Sequence, residues 1–156
     1  MRIIGAIIIF FSSLMIAYTL SSKIDRDIKA ASALRTVLER TRAMIECYSL
    51  SASEILQRID DTVFADCGIS NGRSIRSFLD LAENINIADN EMRDLMLSFA
   101  KDFGKSYRAD ELSRCTLYLE KIRTREQKMI KESAKKKKVI FTVAICASLA
   151  AVILMI

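Results

Sequence analysis

No histidine and no proline occur anywhere in this chain of 156 residues, and glycine occurs only four times. Without histidine there is no imidazole general base and no serine–histidine pair, so the commonest hydrolytic designs are excluded. Histidine is also missing as a zinc ligand, and the four cysteines do not replace it. Cys47, Cys67 and Cys115 are 20 and 48 positions apart with no C-x-x-C pair, and Cys146 falls inside an apolar run. They read as small apolar packing residues, reduced in a cytoplasmic setting. Neither a metal nor another cofactor is expected. With no proline, and with only Gly68, Gly72 and Gly104 outside the first apolar run, little interrupts the backbone, which favours helices joined by short connections. No period-two run of β-branched residues marks a strand.

Charge is missing from both ends. Ile3–Leu20 and Val139–Ile156 are each 18 residues long and contain no charged side chain. At 1.5 Å per residue each spans roughly 27 Å, enough to cross a thin hydrocarbon core. The expected organisation is a transmembrane helix over 1–22, a cytoplasmic helical bundle over 23–138 and a second transmembrane helix over 139–156. A cleavable signal peptide is the alternative for the first run. Its apolar stretch is long for that role, and its best cleavage site, Ala17-Tyr18-Thr19, is weak. The second run follows Lys135, Lys136, Lys137 and Lys138 directly, which speaks against a buried core helix. Those lysines, with Lys23, Arg26, Lys29, Lys128 and Lys131, place the loop on the cytoplasmic side by the positive-inside rule. The lysine run is first of all a topology signal; its second reading is contact with anionic headgroups of the bilayer.

The loop reads as a bundle of about five to six helices. A first soluble helix, Lys23–Tyr48, repeats apolar residues at Ile24, Ile28, Ala31, Leu34, Leu38, Ile45 and Tyr48. Ser51-Ala52-Ser53-Glu54 fits a capping box for a second helix carrying Ile55, Leu56, Ile59, Val63 and Phe64. Turn residues between Asp66 and Gly72 end it. A third helix covers Ser74–Asn84, with Ile75, Phe78, Leu79 and Ala82 inward. Asp89 is a good N-cap for a fourth, lined by Met92, Leu95, Met96, Phe99 and Phe103, and Gly104 suits its left-handed terminus. The last helix begins near Ser106 and runs to Lys138 through Leu112, Cys115, Leu119, Ile122, Met129 and Ile130. The first and last should lie side by side and close one core with the shorter helices.

Two motifs invite chemistry and fail. Gly104-Lys105-Ser106 resembles the end of a Walker A loop, but Phe99 stands where that loop needs its first glycine, and the lead-in has helical spacing. Asp60-Asp61 and Asp110-Glu111 are neighbours on helices, pointing about 100° apart, so neither pair converges. Acids interleave with the bases of the loop, which argues against nucleic acid. The chain therefore reads as no enzyme. It is a helical surface displayed at a membrane, acting through protein contacts.

The two-span layout, the charged first helix, the corner Phe103-Gly104-Lys105-Ser106 and the basic final helix together resemble the stage III sporulation protein AB family. That family has a Leu-Gly-basic-Ser corner followed by a helix opening with Gln-Leu; Phe103 and Glu111 depart from it, and Glu111-Leu112 stands at the Gln-Leu position. The resemblance implies a bundle similar to the cytoplasmic domain of platform proteins in type II secretion and type IV pilus machines. It implies a place in the mother-cell membrane, in the channel apparatus joining mother cell and forespore. It also implies docking of the apparatus ATPase, stage III sporulation protein AA, and contact with other channel components. Self-association is left open. The expected partner surface is the part of the bundle farthest from the membrane, taking in the Asp66–Arg73 turn and the Phe103–Arg108 corner, with Arg73, Lys105 and Arg108 meeting acidic groups. Competing readings are an extracytoplasmic sensory bundle anchored by two spans and a histidine-free membrane hydrolase. The first requires the opposite orientation.

Overall fold

The computed structural model describes every residue except 1, 49, 70 and 156; the side chains of residues 2–4, 6, 73, 152, 154 and 155 are also outside the description. The described residues form six α-helices, α1 (Arg2–Cys47), α2 (Ala52–Gln57), α3 (Asp61–Asp66), α4 (Phe78–Asn84), α5 (Asn90–Asp102) and α6 (Arg108–Met155), with a 3-10 turn at Gly72–Ser74 and no strand. The expected all-helical class is what is found. The chain divides into two compact units. One comprises Arg26–Lys128; the other comprises Met1–Asp25 with Met129–Ile156.

In the central unit, α1 and α6 lie antiparallel. Near one end Arg35 pairs with Glu126 at 3.0 Å, and near the other Arg108 donates to the Glu46 carbonyl. The core between them and the short helices is built from Leu34, Val37, Leu38, Ile55, Leu56, Phe64, Leu81, Met92, Met96, Phe99 and Ile122, all fully buried. Removing such side chains from water is the main stabilising term, at about 1.5–3 kcal/mol each. Tyr48, Leu79 and Ile130, expected inward, are exposed. On α6 the buried face runs through Ile122, Glu126, Met129 and Ser133, and Ile130 stands about 70° from its centre. Leu79 is displaced in the same way by Phe78, Leu81 and Ala82.

The expected second helix is two helices. After Gln57 the chain tightens, with Arg58 and Ile59 bonding back to Ile55 and Leu56, and Asp60 turns extended. Arg40 holds Asp60 there at 2.6 Å, and the break lets Phe64 bury fully. The next helix starts at Phe78 rather than Ser74. Ser77 and Asp80 form a reciprocal capping box, Asp80 N to Ser77 Oγ at 3.0 Å and Ser77 N to Asp80 Oδ2 at 3.1 Å. Ser74 instead closes the 3-10 turn on the Asn71 carbonyl.

In the other unit, the N-terminal part of α1 pairs with the C-terminal part of α6. Ser13 Oγ donates to the Ala144 carbonyl at 2.9 Å, and Ala17 and Ser148 are buried. Large apolar side chains including Phe11, Met15, Ile16, Val143, Leu149 and Ile153 face outward. One helix among the described residues, α1, is long and apolar enough to cross a membrane. This covers the first expected span. The described part of the second apolar run, 139–155, continues α6 but does not meet the same standard among the described residues.

Candidate interaction surface

The Phe103–Arg108 corner is anchored from beneath. Phe103 packs on Phe78 and Phe99, with ring centroids 4.5 and 5.3 Å apart, and Phe99 meets Tyr118 at 5.5 Å. Edge-to-face rings of this kind favour a fixed geometry. Gly104 follows with φ +83°, and a Cβ there would meet nothing within 4 Å. It is therefore needed for its backbone conformation, not for space.

Glu111, one turn into α6 and only 6% exposed, reaches back to the loop. Its Oε1 accepts from Gly104 N at 3.0 Å and Ser106 N at 3.2 Å, and from Arg114 Nη1 at 3.2 Å. Arg114 also donates to the Asp102 carbonyl and, at 3.0 Å, to Ser106 Oγ. A carboxylate holding two backbone donors and a guanidinium stiffens the corner as a charge-assisted network. Glutamine at this position would offer one oxygen to the same two amides, so the departure from Gln-Leu keeps the capping role. Arg114 was not singled out from sequence, and Glu111 was read only as a neighbour of Asp110 and as a motif position, not as a buried cap. The signal was present as a carboxylate seven residues past a glycine and three before an arginine, but only the fold shows that the three meet.

The network leaves Lys105, Tyr107 and Arg108 exposed, Tyr107 at 88%. Arg108 touches the end of α1 through the Glu46 carbonyl and remains exposed. Nearby in sequence, exposed Tyr48 stacks under Arg58, with the guanidinium carbon 5.8 Å from the ring centroid.

The start of the other expected segment lies away from this surface. Gly68 has φ +81°, and a Cβ there would lie 2.7 Å from the Asn86 Cβ. The turn is tied to the α4–α5 connection by Asn86 N donating to the Cys67 carbonyl at 3.1 Å. Asp66 borders a hollow shared with Lys29, Ser32, Ala33 and Thr36 of α1. Along α1, Ser32 and Glu46 are separated by roughly 21 Å. The start of the Asp66–Arg73 turn and the Phe103–Arg108 corner therefore occupy opposite ends of the central unit. Arg73 has its backbone in the 3-10 turn; its side chain lies outside the described residues.

A charged clamp sits at the Arg35–Glu126 end. Asp89 caps α5 by accepting from Met92 N at 2.8 Å, and it also receives Arg125 of α6 through two bonds, 3.1 and 2.5 Å. Arg125 reaches Glu91 at 2.7 Å as well, while Asp27 accepts from Ala88 N at 3.2 Å. Glu126, 4% exposed, is neutralised by Arg35. These carboxylates are engaged in holding α1, α5 and α6 together. Among the described residues, no three histidine, cysteine or carboxylate groups converge to hold a metal ion.

Of the thiols, Cys67 and Cys115 are buried and Cys47 and Cys146 exposed. Burial pushes the Cys67 thiol up to about 12 and the Cys115 thiol up to about 11. Both are protonated at neutral pH, as packing residues would be. Of the four lysines before the apolar end, Lys136 pairs with Glu132 at 3.8 Å and Lys137 with Asp25 at 2.5 Å. Lys135 and Lys138 are exposed.

Comparison with known proteins gives one match. The family model described as stage III sporulation protein AB matches residues 75–156, which covers α4, α5, the corner and α6. No curated protein matches, and no solved structure does.

Proposed function

The chain belongs to the stage III sporulation protein AB family, which implies a role in stage III of sporulation, and on that premise we propose that it is a non-enzymatic membrane platform that docks the ATPase of the channel apparatus at its Phe103–Arg108 corner. The observation that carries this reading is the corner itself. A rigid loop holds one fully solvated tyrosine between Lys105 and Arg108. Tyrosine and arginine on a preordered surface are the residue types that anchor protein interfaces. The two cations would steer an acidic face of the ATPase, stage III sporulation protein AA, onto it.

The platform would sit in the mother-cell membrane with the central unit in the cytoplasm, beside other channel components. Val139–Ile156 would form the second span. Its lack of charge supports this, as does its seam with the first span, where the Ser13 hydroxyl finds a backbone acceptor of the kind a bilayer demands.

The test is charge reversal. K105E/R108E in the full chain should cut co-purification of the ATPase from sporulating cells at least about tenfold, since like charges across an interface are strongly unfavourable. Helicity by circular dichroism should be unchanged. Undiminished co-purification would refute the assignment of the corner. R73E is a separate probe of the 3-10 turn, and loss of the ATPase there too would extend the surface to Arg73.

A further inference from the structure

The net charge of the chain is not shared between its two units. Met1–Asp25 with Met129–Ile156 holds seven basic and two acidic residues, whereas Arg26–Lys128 holds 17 of each. The whole excess of +5 therefore belongs to the unit that carries the apolar runs.

Within that unit the lysines differ by face. Lys136 and Lys137 have acid partners. Lys131, Lys135 and Lys138 are exposed, with no acid in ion-pair range among the described residues. At 100° per residue these three fall within a sector of roughly 60°. They lie on the side of α6 opposite to Met129, Ser133 and Ala144, the face that packs on α1 or is buried. The same outward side continues as Thr142, Ile145, Leu149 and Ile153, all exposed and without a charge. A stripe of three unpaired ammonium groups thus runs in register into a stripe of solvent-facing aliphatic side chains.

We infer that this outward face of α6 is a binding site for an anionic phospholipid. The headgroup phosphate is held by Lys131, Lys135 and Lys138, and an acyl chain lies along Ile145, Leu149 and Ile153. The inference rests on the reading of Val139–Ile156 as a span. It goes further, because orientation depends on how many cations flank a span, not on which face carries them. The three ammonium groups cover about 10.5 Å of helix, within reach of a headgroup layer when lysine stems bend toward the interface. An acidic protein would match the cations but not the apolar continuation below them.

The experiment uses the full chain reconstituted in phosphatidylcholine membranes containing spin-labelled phosphatidylglycerol or spin-labelled phosphatidylcholine as probe. Each lysine close to an anionic headgroup favours binding roughly fivefold, so the wild type should prefer phosphatidylglycerol by at least about threefold after dilution by non-specific annular lipid. K131Q/K135Q/K138Q should abolish that preference. K23Q/K136Q/K137Q, which removes as many charges from other faces, should keep it. Equal loss in both variants, or no preference in the wild type, overturns the site. Inorganic phosphate should displace the probe no better than chloride at equal ionic strength; specific displacement would make this a free-phosphate site. A triple variant that keeps its lipid preference but loses a membrane partner in cells would assign the face to a protein. Flotation with pure phosphatidylcholine vesicles checks the span separately. A chain that fails to float contradicts both readings, while one that floats without lipid preference contradicts only this one.

Discussion

At the residue scale the most consequential side chain is Glu111, a buried acid whose role is to fix a loop. Replacing it with alanine removes the acceptor of two backbone amides and one of the bonds of Arg114, and should destabilise the protein by about 2–4 kcal/mol in denaturant unfolding. E111Q should cost well under half of that, because an amide oxygen still caps Gly104 and Ser106. Equal losses would mean that the charge, not the capping, matters. The thiols give a second prediction. A membrane-impermeant maleimide should modify Cys47 in the purified native protein and leave Cys67 and Cys115 untouched, since both are buried and protonated. On intact cells Cys47 is therefore the useful reporter of sidedness, and labelling there would favour the extracytoplasmic sensory reading. Their raised values also set a sign. Unfolded cysteine ionises near 9.0 while the folded thiols hold their protons to about 12 and 11, so stability is full below pH 9 and declines above it. Sequence composition already pointed to packing cysteines. It did not show which thiols were buried, because Cys47 and Cys67 both stand at helix ends and only the fold turns Cys67 inward.

At the scale of elements, sequence periodicity located most helices and misplaced some of their edges. Asp89 as N-cap and Gly104 as terminator of α5 were legible, because capping chemistry is local. The capping box of Ser51 and Glu54 was legible for the same reason. The break at Asp60 was not, because it depends on Arg40, 20 residues away, and on room for Phe64. The start of α4 was missed because Ser77 and Asp80 compete locally with Ser74, and an aspartate box is less familiar than a glutamate one. Two mutations test how the elements are held. F99A removes the centre of the aromatic cluster and should cost about 3–5 kcal/mol. D89A removes both the α5 cap and the partner of Arg125, and should cost about 2–4 kcal/mol. If D89A were no worse than an ordinary lost cap, near 1 kcal/mol, the Arg125 contact would be shown to contribute little.

At the scale of the whole molecule, two features were readable early and one was not. Apolar ends and a helical middle followed from where charge is absent. The family was readable from layout and the Phe103–Ser106 corner, and residues 75–156 match it. What sequence could not show is that the Asp66–Arg73 turn starts at the opposite end of the central unit from the corner, since nothing local encodes which end of α1 each loop reaches. The proposed docking surface therefore centres on Lys105, Tyr107 and Arg108. The decisive measurement is site-specific photo-cross-linking in sporulating cells, with the probe in place of Tyr107. A cross-link to the apparatus ATPase, abolished by K105E/R108E, is the predicted result. Absence of that adduct from position 107, with the adduct forming instead from a probe at Glu83 on α4, would contradict the account.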